Sequence, residues 1–288
     1  MTSHDRSRVG VCTLVKGREG HLRNLLAGLA RGTRLPDRCV VVDMGRHALT
    51  LPDLPFPVVL HHMPSDGLPL AAARNMAARI AATPDLIFLD VDCIPSRELV
   101  AALAEDIATA DALICCEVLY LSARDQGLDE SAMLERGMRH PVREFPPAGL
   151  RAESNAGLFW SLAFGMRKAS FDRLGGFDEA FSGYGAEDTD FAFRARATGV
   201  PLLFAGSAKA FHQYHAIHDP PLHHFADIVA NANRFRQLHG IWPMDGWLDA
   251  FARMGLITAP SDASALHVLR MPTQAEIAAS ACPPERCF

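Results

Sequence analysis

Two short acidic clusters and a run of histidines carry the residue types from which a catalytic site can be built. Leu86-Ile-Phe-Leu-Asp-Val-Asp-Cys-Ile94 is an apolar stretch interrupted by Asp90 and Asp92. Such a run reads as a buried parallel strand, and at a period of two both carboxylates project from one face. Adjacent anions repel each other unless a cation lies between them, and a divalent metal carrying a phosphate-rich ligand meets that need. A pair that caps the next helix or turns in solvent is the plainer alternative. Further on, Glu187, Asp188 and Asp190 follow the glycine-rich turn Ser182-Gly-Tyr-Gly185 and open a helix that stops near Gly199. Negative charge is favoured at a helix start, and Asp190 is spaced to pair with Arg194. Glu187 and Asp188 precede the helix proper and could face a ligand. Histidines recur at 212, 215, 218, 223 and 224. One imidazole could complete a metal sphere begun by Asp92, the others serving surface or interface roles.

The elements that must position these groups alternate in type. Arg8 to Val15 reads as a first strand, followed by a helix with Leu22, Leu25, Leu26 and Leu29 on one face. Arg38 to Asp43 is a second strand ending in an acid, and Pro57 to Leu60 a short third. Strand, helix, strand with a right-handed crossover predicts a parallel α/β sheet, whose ligands collect at strand ends. The first turn lacks the Gly-x-Gly-x-x-Gly of dinucleotide folds. Pro69 begins an alanine-rich helix whose polar pair, Arg74 and Asn75, could reach a diphosphate or sugar. Asp43 suits either a ribose or base contact or a turn cap. Ser96 and Ser170 are placed to cap helices, and Ala112 to Leu121, Leu158 to Met166 and Pro201 to Ala205 read as strands. The charged, Pro- and Gly-containing stretch 122–151 lacks clear periodicity and suits a functional loop. Beyond 215, Phe225, Ile228, Val229, Ala232 and Phe235 recur at helical spacing.

Composition narrows the class. The 288 residues are 49% hydrophobic and 21% charged, with a net charge of -5. That balance fits a soluble globular enzyme and argues against a broad nucleic-acid footprint. No apolar run reaches the length of a membrane span, and none near the start reads as a signal segment. Seven cysteines without a paired Cys-x-x-Cys suggest reduced thiols and a cytoplasmic setting. Cys282 and Cys287 fall in a tail of little expected structure.

Three blocks in order carry a family likeness. Phe88-Leu-Asp-Val-Asp-Cys-Ile-Pro95, Gly175-Gly-Phe-Asp-Glu continuing through Gly183-Tyr-Gly-Ala-Glu-Asp188, and Phe211-His-Gln213 resemble GT-A glycosyltransferases of the family 2 type. The later blocks are similar to the C-terminal motif of β-1,4-galactosyltransferases and bacterial chondroitin polymerase. The resemblance implies a Rossmann-like, mostly parallel sheet flanked by helices, with a helical C-terminal extension. It divides the chain into a catalytic domain over 1–215, with the nucleotide sugar at about 8–120 and the acceptor and catalytic part at about 150–215. A helical extension would occupy 216–259 and a loose tail 260–288.

The same likeness implies site roles. Asp92 and His212 would hold Mn²⁺, with Mg²⁺ as the substitute. Thr13, Asp43, Arg74, Asn75, Asp90, Val91 and Tyr184 would line the nucleoside-diphosphate sugar, a UDP-sugar being favoured. Asp188 would be the inverting general base and Glu187 its acceptor-binding neighbour. Tyr184 stands where tryptophan is usual and Ala186 where the second glycine is, which puts the sugar preference in doubt. The acceptor would be a hydroxyl of a glycan, lipid-linked or small-molecule partner. No integral span is expected. An exposed apolar face on the extension would suit a homodimer contact or a peripheral contact at the inner face of the membrane. A retaining GT-A transferase, a nucleotidyltransferase and a catalytically silent sugar-nucleotide or glycan binder are the competing readings.

Overall fold

A computed structural model describes residues 7–261 and 264–286. The first half runs β1 (Val9–Val15), α1 (Glu19–Ala30), β2 (Arg38–Asp43), β3 (Val58–His62), α2 (Leu70–Ala81) and β4 (Asp85–Leu89). It continues with β5 (Cys93–Pro95), α3 (Leu99–Thr109), β6 (Leu113–Tyr120), α4 (Glu130–Arg136), β7 (Met138–Arg139) and β8 (Leu150–Glu153). The second half adds β9 (Ala163–Arg167), α5 (Lys168–Arg173), α6 (Glu187–Ala197), β10 (Leu202–His212), α7 (Phe225–His239), α8 (Asp245–Arg253) and α9 (Gln274–Ala279).

The strands form one sheet in the order β3-β2-β1-β4-β9-β6-β10-β5, with β7 on β6 and β8 on β10. From β3 to β4 the neighbours are parallel, as the βαβ pattern predicts. Beyond that point parallel and antiparallel neighbours mix, β10 running parallel to β6. β9 runs antiparallel to both β4 and β6, so the sheet is mixed. Helices cover both faces. On one, Leu22, Leu25, Leu26 and Leu29 of α1 pack with Leu99, Leu103 and Ile107 of α3. On the other, the small side chains Ala73, Ala77 and Ala81 let α2 lie close, beside a phenylalanine cluster in which Phe88 stacks on Phe164 at 4.6 Å and Phe177 on Phe191 at 4.4 Å. Burying such rings drives association in proportion to the apolar area removed from water.

Several expectations are corrected. The strand carrying Asp90 and Asp92 stops at Leu89, and the Cys93 N–H donates to the Asp90 carbonyl at 2.9 Å to close a turn. The two acids therefore do not alternate along one strand face. They occupy the reversal into β5, which pairs antiparallel with β10. β10 is a single strand with a bulge between Ala205 and Lys209 instead of ending at Ala205. α3 begins at Leu99 with no side-chain cap, so Ser96 is not one. Ser170 lies inside α5 and its hydroxyl donates to Asp111. The stretch 122–151 is ordered by α4, β7 and β8, and it presses on the bulge so closely that a Cβ on Gly206 would collide with the Pro146 carbonyl.

Within the described residues 264–286 the tail is held in place. Thr273 and Glu276 form a reciprocal capping box on α9. The chain then returns to the segment before α7, where the Asp219 N–H donates to the Ser280 carbonyl and the Cys282 N–H to the Ile217 carbonyl, both at 2.9 Å. Cys287 lies outside the described residues, and Cys12, Cys39, Cys93, Cys115, Cys116 and Cys282 are free thiols. Among the described residues no helix is long and apolar enough to cross a membrane.

Candidate active site

The antiparallel pairing of β5 with β10 sets Cys93 opposite His212, and this brings the first acidic turn against the histidines. Asp92 is buried, with His212 Nε2 3.6 Å from one carboxylate oxygen and His215 Nε2 3.5 Å from the other. Ligand atoms of these three residues all lie within 4.8 Å of one another. Arg18, from the turn after β1, donates to the same carboxylate. Burial works against ionisation of Asp92, but His212, Arg18 and His215 outweigh it and hold its pKa below the usual range. Burial pushes His212 down to about 4, against the pull of Asp92, and lowers His215 as well. An ionised carboxylate and neutral imidazoles form a donor set that suits Mn²⁺ or a similar divalent ion.

The second acidic pair faces different surroundings. α6 starts after Gly183 and Gly185, both at positive φ, and Ala186 itself holds φ 71° while buried. Glu187 and Asp188 follow that left-handed turn directly, as the first residues of α6. Glu187 is buried and accepts from Arg74 Nη1 at 2.9 Å. Half-buried Asp188 accepts from the Thr189 N–H at 2.7 Å and from the Ser161 N–H at 3.4 Å. Burial, reinforced by the like charge of Glu187 and opposed by Arg74, raises the Asp188 pKa to about 7. Asp190 turns back into the fold, pairing with Arg194 at 2.8 Å, as its spacing predicts, and with His239 of α7 at 2.8 Å.

Arg74 joins the two corners. Its other arm donates to Asp90 at 3.2 Å, and its guanidinium lies 5.2 Å from the centre of the Phe177 ring. Burial disfavours its charge, yet Asp90 and Glu187 keep it firmly protonated. Asp90 is pushed up to about 6 by burial, with Arg74 opposing and Asp92 adding to the rise.

The remaining predicted residues divide. Thr13 is fully buried on β1 with no hydrogen-bond partner for its hydroxyl among the described residues. Val91 packs its side chain into the core between the two acids. Tyr184 stacks on His224 at 4.4 Å, and its hydroxyl is held in the neutral form first by burial and then by Glu187 and Asp188. Asp43 receives the N–H groups of Gly45 at 2.8 Å and Leu49 at 3.2 Å, so its carboxylate caps the turn after β2. Asn75 clamps the segment before α6 through the Phe177 N–H, the Phe177 carbonyl and Glu179. Those bonds occupy its amide, and contact with a diphosphate would require breaking them. Sequence reasoning misses Arg18 and His215 as site residues. His215 is legible as the second member of a His-x-x-His pair with His212, whereas Arg18 carries only its place in the turn after the first strand.

Known proteins resemble this chain in sequence and in fold. The profile described as the N-terminal domain of galactosyltransferase matches residues 139–218, a span that includes Asp188, His212 and His215 but not Asp92. Two validoxylamine A glucosyltransferases of Streptomyces hygroscopicus, from subspecies jinggangensis (strain 5008) and limoneus, are each 27% identical over 206 residues. Those matches cover 60% of this chain, and 45% and 42% of the relatives, so the chain spans less than half their length. Among solved structures, GalNAc-T7 with UDP, GalNAc and Mn²⁺ superposes with a TM-score of 0.52 at 15% identity, over 74% of this chain and 44% of that one. S. aureus TarS 1-349 gives 0.52 at 16% identity, over 80% and 65%, and the same fragment in complex with UDP gives equal values. The fold is that of GT-A glycosyltransferases. The sequence likenesses are to a galactosyltransferase domain and to two glucosyltransferases.

Proposed function

We propose that the chain transfers a sugar from a nucleoside-diphosphate sugar, most simply a UDP-sugar, to an acceptor hydroxyl with inversion. The observation that carries this reading is the pairing of two unlike corners through Arg74. One corner, Asp92 with His212 and His215, fits a cation. The other presents a carboxylate whose pKa of about 7 is matched to taking a proton near neutral pH. The family 2 type and the galactosyltransferase-like motif belong to the same proposal, as do Mn²⁺ over Mg²⁺ and a cytoplasmic setting.

A divalent ion held by Asp92, His212 and His215 would act as Lewis acid toward the diphosphate leaving group. The chain's own groups do the rest. Arg18 lies beside Asp92, where its guanidinium can exchange the carboxylate for a phosphate oxygen. Thr13 belongs to the nucleoside side of the same proposal, and its fully buried, unpartnered hydroxyl would meet the nucleoside only if the surroundings of β1 open. Arg74 orients Asp90 and Glu187, and so fixes the distance between donor and acceptor halves. The acceptor oxygen attacks the anomeric carbon from the face opposite the diphosphate. Asp188 takes its proton as the new C–O bond forms and the bond to the diphosphate breaks. Glucosyl transfer to validoxylamine A, the activity for which the Streptomyces relatives are named, is accordingly the first substrate pair to try.

Product analysis tests it directly. With UDP-glucose and Mn²⁺, proton NMR of the product should show the anomeric configuration inverted. A retained configuration would overturn the role of Asp188, and pyrophosphate release would make the protein a nucleotidyltransferase. Calorimetry should show Mn²⁺-dependent UDP binding that Asp92→Ala removes, and unchanged affinity in that variant would sink the metal assignment.

A further inference from the structure

The stretch 138–145 brings an unusual group against Trp160. Arg143 is buried, 5% exposed, and its Nε and one terminal nitrogen have no hydrogen-bond partner among the described residues. Its guanidinium instead lies 4.9 Å from the centre of the Trp160 ring and 5.2 Å from those of Phe145 and Phe204. Burying a cation this way is costly unless its attraction to the rings is worth keeping. His140 meets the same indole edge-on at 4.7 Å. Trp160 is thereby fixed by two side chains from a segment that lies outside both acidic corners.

Trp160 is also next to the chemistry. It is half-buried, and the N–H of the following residue, Ser161, donates to Asp188. Beyond His140 the ring contacts pass through Tyr120 at 6.0 Å to His212, itself 5.1 Å from Tyr120. A large, rigid indole one residue along the chain from a contact with the base has a plain use. Its π face packs against the C–H face of a saturated ring while the ring's hydroxyls point outward.

We propose that Trp160 is the acceptor-specificity residue of this site. Its indole, held by Arg143 and His140, forms the surface on which a pyranose or cyclitol acceptor rests while a hydroxyl reaches Asp188. Arg143 acts as a positioning residue through the indole. This inference rests on the reading of Asp188 as the base, and it narrows the acceptor class to ring polyols.

The test measures transfer from UDP-glucose with Mn²⁺ to validoxylamine A and to methyl α- and β-glucopyranosides. Calorimetric UDP affinity is followed in the same variants. Trp160→Ala should raise the acceptor KM by about tenfold or more, the scale of removing one stacked aromatic ring, while UDP affinity stays within about twofold of wild type, the limit of such a comparison. Trp160→Phe should recover most of the loss. Arg143→Met should raise the acceptor KM with kcat little changed, and Arg143→Lys should restore part of it. An unmoved acceptor KM in Trp160→Ala overturns the proposal, as does failure of the wild type to use any of the three ring polyols. Asp188→Asn run in parallel keeps the two readings apart. If it transfers normally while Trp160→Ala shows the raised KM, the base assignment falls and the platform stands.

Discussion

The two acidic pairs have nearly the same composition and opposite environments. Asp92 shares its oxygens among Arg18, His212 and His215, and stays ionised despite burial. Among the described residues Asp188 has only backbone N–H groups and a neighbouring hydroxyl as donors, beside the like charge of Glu187, and its pKa climbs to about 7. A carboxylate suited to holding a cation is surrounded by positive or neutral ligating groups. A carboxylate suited to receiving a proton is left next to another anion. Arg74 keeps the difference in place, because it neutralises Glu187 and Asp90 while making no hydrogen bond to Asp188.

The strongest break of that contrast is Asp188→Asn. It should lower transfer by roughly 100-fold or more, the range for a lost general base, while Mn²⁺-dependent UDP affinity measured by calorimetry remains. Removing the bridge comes next. Arg74→Met leaves two carboxylates without their cation, and urea unfolding should show a loss of about 3–5 kcal/mol.

A change of pH should separate the corners without mutation. At pH 5.5 Asp92 is still ionised and His212, with a pKa of about 4, still neutral. Asp188, at about 7, is then mostly protonated. Asp90, at about 6, also gains a proton at this pH, so UDP binding with Mn²⁺ should weaken only slightly while transfer falls about tenfold per pH unit below 7, and an equally steep decline of both would contradict the contrast. Stability carries the opposite sign. A carboxyl whose folded pKa lies above its unfolded value favours folding in acid, so its contribution declines as pH rises through the interval up to about 7. Asp188→Asn should therefore gain stability over wild type from pH 5 to pH 8 in thermal melts.

The smallest effect concerns the turn that precedes the second pair. Ala186 holds φ 71° at a buried position, a conformation a glycine adopts without steric penalty. Ala186→Gly should stabilise the protein by about 0.5–1 kcal/mol, read by urea unfolding, with transfer retained. A loss of stability would mean that the methyl group's packing outweighs the strain.

Local pattern is legible where one element decides the outcome. β2 runs from Arg38 to Asp43 as its apolar run predicts, and the Asp190–Arg194 pair follows from helical spacing alone. Legibility ends where two elements meet. The run from Leu86 to Ile94 looks continuous because both β4 and β5 are buried, and nothing within it marks the reversal at Asp90. Asn75 sits in a polar pair with Arg74, yet the loop at Gly176–Glu179, distant in the chain, takes its amide. The tail reads as unstructured because its one helix is short and its anchoring bonds reach back to Ile217 and Asp219.

By itself the sequence determined the inventory: two acidic pairs, a histidine run, alternating strands and helices, and a turn at Gly183–Gly185 that begins α6. Those are properties of neighbours along the chain, and short-range sterics and hydrophobic periodicity express them directly. Only the tertiary structure decided that Asp92 meets His212 and His215, that Arg74 spans both pairs, and that the Ser161 N–H reaches Asp188. Those contacts depend on β5 pairing with β10 and on α6 packing against the segment of Phe159, partners far apart in the chain. The proton affinities follow from the same step, since desolvation and unlike neighbours shift a carboxylate only after folding has brought them together.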